Sequence, residues 1–147
     1  MDNNLPVWII ASLFKYFSTL GLGLYLEGQP RTVTLNTNIW VELRHDIKLL
    51  QRQLNEFDIK VEVNLLVEIT DMKGDQYLPQ RTVGTLIQAC MNVPIPIYDL
   101  PSTDLKCCLL LEKMPDPVRS YNIGQQIIGN KTQQIIVEAF YQGQLGS

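Results

Sequence analysis

The most reactive side chains of this sequence are one histidine, His45, and three cysteines, Cys90, Cys107 and Cys108. A nucleophilic Cys–His pair needs the thiol beside the imidazole, with an oxyanion donor close by. Asp46 follows His45 and could orient its ring, but neighbouring residues on a strand point to opposite faces. The pattern therefore favours a surface histidine, and it does not assemble the parts of a nucleophilic site.

The sequence does not match other kinds of catalytic site either. One histidine and two adjoining cysteines do not have the spacing of zinc ligands, and no glycine-rich loop follows a strand and opens a helix. Glu62 and Glu68 share a strand face but are six residues apart, which places them about 20 Å from each other. That distance is too long for paired acid–base catalysis. We expect no catalytic residue, no cofactor and no metal.

Composition narrows the class of protein further. A chain of 147 residues, with 46% hydrophobic and 18% charged residues, is typical of one folded domain, which we assign to residues 1–147. The net charge of −3 has the wrong sign for a protein that neutralises many phosphates. Three cysteines without regular spacing argue against a disulfide framework and indicate a reducing compartment. The apolar run near the N-terminus contains Lys15 and is shorter than the roughly 20 residues that cross a bilayer, so we expect no membrane or export segment.

The first predicted helix begins near Pro6, a residue suited to a first turn, and stops at the glycines of LGLGL. Its apolar arc is wider than packing on one sheet face needs. Two explanations stay open, contact with another subunit or deep burial in its own core. A second helix is predicted from about Gln76 to Met91. There Val83, Leu86 and Cys90 follow helical spacing.

The stretch FDIKVEVNLLVEI, residues 57–69, predicts a long strand because apolar residues occupy every second position. Its other face is largely charged. LGLYLEG, NIWVELR and TQQIIVEAFYQGQ predict further strands, and LKCCLLLEK predicts a strand that is buried on both faces. HDIKLLQRQLNE is ambiguous between a helical turn and a continuing hairpin.

The remaining segments read as connections. Residues 28–38 are rich in Gly, Pro and Asn, and DMKGDQ predicts a turn at Gly74. The prolines of NVPIPIYDLP and MPDPVRSYN predict an extended connector and a loop. IGQQIIG is one more apolar run. Together the elements predict an α+β fold, a mostly antiparallel β-sheet with two main helices packed on one face.

This order of elements resembles a known family. The segments WIIASLFKYF, LYLEGQPR, NIWVELRHD, VEVNLLVE, RTVGTLIQAC and IIVEAFYQGQL follow one another between Val7 and Leu145. In their order and in their local sequence patterns, these segments resemble the tail-terminator and tail-completion proteins, the small neck proteins of tailed bacteriophages. No single short motif carries the resemblance.

The resemblance implies a homo-oligomeric ring, commonly a hexamer, in the virion neck, assembled in the host cytoplasm. Such a ring caps the tail tube, ends its polymerisation and joins the tail to the head–tail connector. Genomic DNA passes through its lumen without specific binding, which suits the mild acidity of the chain. The partners would be the chain itself, the tail tube protein and the connector, and the family supplies no catalytic residue.

Seven residues are predicted to contact other subunits or neck proteins: Trp8, Lys15, Trp40, Glu62, Glu68, Arg119 and Phe140. Loops 28–38 and 115–121 are predicted to meet the tube and the connector.

Three alternatives to the tail-terminator function stay open. The protein could be a head-closure or connector adaptor, or a tail-tube subunit, which its helical share disfavours. From a different class, it could be a small cytosolic binding module or enzyme with a pocket beside His45. For the charged strand face, the alternative to a subunit or channel contact is simple exposure to solvent.

Overall fold

The computed structural model describes residues 4–30, 39–53, 56–70, 77–92, 94–99, 103–119 and 132–145. Two helices and seven strands lie within these ranges. In chain order they are α1 (Leu5–Ser18), β1 (Gly23–Leu26), β2 (Ile39–Gln53), β3 (Glu56–Thr70), α2 (Leu78–Met91), β4 (Ile95–Tyr98), β5 (Leu105–Leu111), β6 (Asp116–Arg119) and β7 (Thr132–Leu145).

The described strands form one sheet in the order β1-β2-β3-β7-β5-β4, and β6 pairs with β7. Strands β5 and β6 pair with different parts of β7, β5 near its C-terminal end and β6 nearer its start. Every neighbouring pair is antiparallel except β1 and β2, which run parallel. The predicted α+β fold with a mostly antiparallel sheet and two helices packed against it is confirmed.

The centre of the sheet is β3, which pairs along its length with β2 on one side and β7 on the other. All odd-numbered side chains from Phe57 to Ile69 are buried, as the alternation predicted. We call this the inner face. The even-numbered side chains of β2, β3 and β7 lie on the opposite surface, which we call the outer face.

The described part of the ambiguous segment HDIKLLQRQLNE, which leaves out residues 54 and 55, is strand. β2 continues through it to Gln53 and forms a long hairpin with β3. The reason lies in the register, because Leu49 pairs with Ile59 and Ile47 with Val61, so that apolar side chains of both strands share the inner face. A helical turn there would leave β3 without this neighbour.

Helix α1 lies inside the curl of the sheet. It contacts β1, at one end of the strand order, and β4, at the other end. The hydroxyl of Ser12 is buried and accepts a hydrogen bond of 3.0 Å from the backbone N–H of Tyr98 in β4. Because both edges of the sheet approach it, α1 needs apolar side chains on several sides. The wide apolar arc is therefore mainly core, and Trp8 is only 7% exposed.

Helix α2 begins at Leu78, with Pro79 in its first turn, and it packs against β7. Leu86 and Cys90 are buried, as the helical spacing predicted, and Val83 packs against the core from a partly buried position. The two helices are tied together by Tyr16 of α1, whose hydroxyl lies 2.6 Å from the carbonyl oxygen of Ala89 and 2.7 Å from that of Asn92.

Two segments predicted as connections are strands instead. NVPIPIYDLP contains β4, and MPDPVRSYN contains β6. The prolines misled the prediction because a proline is excluded from a strand only where its N–H must bond to a neighbour. In β4, Tyr98 directs its N–H away from β5, toward Ser12. Pro96, two residues earlier, faces the same way, so its missing N–H costs the sheet no hydrogen bond.

The prediction that LKCCLLLEK is buried on both faces is wrong. In β5 only Leu109 is fully buried, whereas Leu105 is 58% and Leu110 is 49% exposed. The helices cover the inner face alone, so the alternate side chains of β5 reach solvent. Gly74, the run IGQQIIG, residues 31–38 of loop 28–38 and residues 120 and 121 of loop 115–121 lie outside the described residues.

The inner face of β3 yields a stability prediction. Val63 is fully buried at the middle of the strand, so Val63→Asp places an unpaired carboxylate in the core. We expect it to lower the free energy of unfolding by about 3–5 kcal/mol. Glu62→Gln, one residue away on the outer face, should change it by less than about 0.5 kcal/mol. Thermal melts followed by circular dichroism measure both, and equal losses would mean that the register is wrong.

Two glycines predict opposite effects of the same substitution. A Cβ at Gly84, inside α2, meets no atom within 4 Å, so Gly84→Ala should stabilise the protein by about 0.5–1 kcal/mol. A Cβ at Gly143 would lie 2.9 Å from Leu109 Cδ2 and 3.1 Å from the carbonyl oxygen of Cys108. Gly143→Ala should therefore destabilise by about 1–3 kcal/mol. Urea denaturation measures both, and the same sign at the two positions would contradict this packing.

Candidate functional site

The structure does not form a Cys–His site from Cys90 and His45. Cys90 is fully buried at the end of α2, under Tyr141, whose hydroxyl donates to the carbonyl oxygen of Cys90 at 3.2 Å. Burial raises the pKa of the Cys90 thiol and keeps it protonated. His45 is an exposed residue of β2. An exposed imidazole and an enclosed thiol do not act together on a substrate from solvent.

The two cysteines of β5 do not form a site with His45 either. Cys107 and Cys108 are partly buried and adjacent on one strand, so their side chains point to opposite faces. Burial, followed by the neighbouring Cys108, raises the pKa of Cys107 to about 11. In the strand order, β3 and β7 separate β5 from His45 on β2.

Within the described ranges, no group of three or more His, Cys, Asp and Glu side chains is placed to hold a metal ion. The same residues include no helix that is long and apolar enough to span a membrane.

Four of the seven predicted contact residues, Trp40, Glu62, Glu68 and Phe140, lie on the outer face. In the register of the sheet, Trp40 of β2 lies opposite Glu68 of β3, and Glu68 lies opposite Gln134 of β7. The side-chain amide of Gln134 donates to Glu68 Oε2 at 3.1 Å. Six residues before Glu68 on β3, a second group of residues surrounds Glu62. There Glu62 lies between Asp46 and Phe140.

Three apolar side chains form a patch at the end of the outer face where Trp40 and Glu68 lie. Leu66 is the cross-strand partner of Ile136, and both lie one row along from Trp40 on the same face. All three are partly exposed. We call Trp40, Leu66 and Ile136 the outer strip. Leu66 is not among the predicted contact residues, but alternation identifies it, because it is the apolar residue on the even-numbered, otherwise polar face of β3.

The second end of the outer face is a charged surface with one aromatic ring. Lys113 Nζ lies 4.5 Å from the ring centre of Phe140, within the range of a cation–π contact. Lys60 Nζ is 2.7 Å from Glu112 Oε1, also on this side of the sheet. Such partly exposed pairs contribute little to stability, on the order of 1 kcal/mol or less. They do give the surface a defined pattern of charge.

The other three predicted contact residues lie elsewhere. Trp8 is in the core beneath the sheet, so its assignment as a contact residue is wrong. Lys15 is exposed on α1, with its Nζ 5.5 Å from the ring centre of Tyr98. The backbone of Arg119 pairs with Ile135, and its side chain lies outside the described residues. Sequence alternation grouped the strand residues correctly, whereas helix residues gave no comparable signal.

A groove of about 600 Å³ opens between the two helices. Tyr16 of α1 and Leu20, just after the end of α1, form part of one wall, and α2 residues such as Arg81, Gly84 and Gln88 form the other. Its volume is within the range of small-molecule sites, roughly 300–1,000 Å³. His45 is not among its lining residues, so this groove is not the pocket predicted beside the histidine.

Comparison with known proteins gives a fold relationship only. No family model matches this chain, and no curated protein sequence matches it. One solved structure, which carries no functional name, aligns over 97% of this chain and 97% of its own length, with a TM-score of 0.54 and 12% sequence identity. At that identity the similarity shows a shared fold over the full chain and says nothing about activity.

The state of the thiols predicts their pH dependence. Burial disfavours the thiolate and raises the pKa of Cys107 to about 11, whereas a free cysteine has a pKa of about 8.5. At any pH below the pKa of Cys107, a smaller fraction of Cys107 is therefore thiolate than of a free cysteine. Alkylation of Cys107 by iodoacetamide should be slow at pH 7 and rise about tenfold per pH unit up to that value. Cys90 should react only after unfolding in urea. Mass spectrometry of the labelled peptides tests this, and fast labelling of Cys107 in the folded protein at pH 7 would contradict it.

Proposed function

We propose that this chain is a structural protein of the phage neck, a tail terminator that forms a ring at the end of the tail tube. The observation that carries the proposal is the outer strip. It places Trp40, Leu66 and Ile136, partly exposed, on the face of the sheet opposite the core. A protein that acts alone gains nothing from apolar side chains there, whereas a ring subunit can cover them with its neighbour.

The fold and its charge distribution are consistent with this proposal. The chain is a small α+β domain in the element order that resembles tail-terminator and tail-completion proteins. The outer face also carries acidic residues, including Asp46, Glu62 and Glu138. In a ring whose lumen passes DNA, acidic side chains repel the phosphates and so prevent tight binding. The ring would bind the tail tube protein on one side and the head–tail connector on the other.

In a closed ring, each subunit uses two different patches in a head-to-tail contact. We assign the outer strip to one of these patches, and six subunits to the ring. Each copy then buries its strip against another part of the next copy. A head-closure adaptor would use the same surfaces within the same neck, so it is a variant of this proposal.

A second candidate function rests on the groove between α1 and α2. Its volume of about 600 Å³, and its lining by both apolar and polar side chains, would suit a small-molecule binding module. Such a module has no need of the outer strip. The size of the particle in the presence of tail tubes separates the two candidates, because the module stays near the chain mass of 16.8 kDa there.

We expect Leu66→Glu to abolish ring formation, because it places a charge in the middle of the outer strip. In a tail-assembly reaction the variant should leave tubes uncapped and overlong. Leu105→Glu is the matched control, because Leu105 is an exposed leucine on β5 outside the strip. Electron microscopy of the particles and of the tail lengths reads the result, and circular dichroism checks that both variants are folded.

Two results would overturn the proposal. One is a folded Leu66→Glu variant that still forms rings and stops tails at their normal length. The other is an assembled neck that contains a single copy of this chain or an open helical array of it. A monomer in dilute solution agrees with the proposal if rings form on the tail tip.

A further inference from the structure

The edges of this sheet are not equivalent. An open strand edge offers unpaired N–H and C=O groups to any extended chain, and proteins commonly block such edges with proline. At the β4 edge, Pro96 has no N–H to offer, and the N–H of Tyr98 already donates to Ser12 Oγ. This edge therefore offers no free donor at Pro96 or Tyr98.

The outer edge of β6 is blocked at one position in the same way. Phe140 of β7 directs its carbonyl oxygen toward β5 and β6, where it accepts from the N–H of Glu112. By alternation Glu138 faces the same side and pairs there with Asp116 of β6. Pro117, the next residue of β6, therefore faces away from β7, and the edge offers no donor at this position.

Among the described residues, nothing blocks the edge of β2 in this way. β1 pairs with β2 only as far as Leu43, whose carbonyl oxygen accepts from the N–H of Glu27. By alternation His45, Ile47 and Leu49 direct their N–H and C=O groups to the same side. No strand of the described ranges pairs with them there, and the sequence of residues 45–49 contains neither proline nor glycine.

The charges beside this edge lie directly opposite like charges on β3. Asp46 lies opposite Glu62, and Lys48 lies opposite Lys60, so each charge of β2 meets a like charge across the strand pair. Like charges directly opposite each other are unfavourable. Both Asp46 and Lys48 are exposed. A strand on the open side of β2 that carries the opposite charges would relieve both contacts.

We propose that residues 45–49 of β2 pair in antiparallel fashion with the same residues of a second copy of this chain, around a two-fold axis at Ile47. In this register Asp46 of each copy lies opposite Lys48 of the other, so two pairs of opposite charge form. Ile47 meets Ile47 of the other copy, and His45 meets Leu49. These three residue pairs exchange about six backbone hydrogen bonds.

The structure also limits the length of this contact. The β2–β3 register shifts between Gln51 and Gln53, which marks a bulge that bends the end of the strand. At the other end the β1 connection at Glu27 occupies the edge. The free stretch between these limits is centred close to Ile47, and it suits a self-complementary pair.

This contact goes beyond the proposed function and does not rest on it. A two-fold contact joins identical edges, whereas a ring needs two different patches on each subunit. It therefore pairs free subunits, or joins subunits of two rings, through a surface distinct from the outer strip.

A disulfide cross-link tests the geometry. The two-fold axis places the Cα atoms of residue 47 in the two copies about 5.5 Å apart, which a disulfide can span. We expect Ile47→Cys to form a covalent dimer under mild oxidation. The controls are Leu50→Cys, which is exposed but about 20 Å from its symmetry mate, and the unchanged chain with its own three cysteines. A cross-link equally strong with Leu50→Cys, or none with Ile47→Cys, would overturn the proposal.

A charge exchange tests the register in the protein without an added cysteine. Lys48→Glu places like charges at both cross-strand pairs, and we expect the dimer Kd in sedimentation equilibrium to rise about tenfold or more. Adding Asp46→Lys to the same chain reverses both charges and should restore the original Kd. An unchanged Kd for Lys48→Glu, or no recovery in the double variant, would overturn the proposal. So would an unchanged chain that stays monomeric at millimolar concentration. When Leu66→Glu is added to Ile47→Cys, the double variant should still form the cross-linked dimer, even if it forms no ring.

Discussion

The structure depends on the burial of one face of β3. This strand of 15 residues is bonded to β2 on one side and to β7 on the other, and its odd-numbered side chains are all enclosed. Because the side chains of a strand alternate, a shift of one residue would exchange Val63 for Glu62 or Asn64 in the core. The cost of burying those groups fixes the register of β3. Through the two ladders it also fixes the registers of β2 and β7.

The curvature of the sheet depends on contacts made by these strands and by α1. The helix α1 touches strands at both ends of the sheet, and Ser12 satisfies a backbone N–H of the far edge. Gly143 allows β7 and β5 to approach closely, because a Cβ there would overlap Leu109. The sheet can thus curl around a helix with apolar side chains on several sides. That explains why Trp8 belongs to the core and not to a surface.

The curl leaves a protein with two unequal surfaces. The inner face is filled by the helices, and the outer face carries the outer strip beside a charged region. Pro96 and Pro117 each remove a donor from one edge, whereas no strand of the described residues pairs with the edge of β2 at residues 45–49. Contacts with other chains are therefore best served by the outer face and the β2 edge. Both surfaces suit a protein that works by assembly, and the reactive side chains are either buried or isolated.

Sequence alone determined the elements whose pattern is local. The alternation in residues 57–69 gave the strand, its buried face and the shared surface of Glu62 and Glu68, because burial on a strand has a period of two. The helical spacing around Leu86 and Cys90 likewise identified the buried face of α2. These inferences needed only the geometry of one element and the cost of burying polar groups.

Only the tertiary structure decided the properties that depend on neighbours. Whether Pro96 interrupts a strand depends on which side of β4 carries a partner, and whether LKCCLLLEK is covered on both faces depends on where the helices lie. The strand state of residues 45–53 likewise required the apolar partners that β3 supplies. Whether a strand lies at the edge or the centre of the sheet, and whether its face is covered or open, depends on segments that are far apart in the chain. A local pattern cannot encode them, because the same residues satisfy either arrangement until the rest of the sheet is in place.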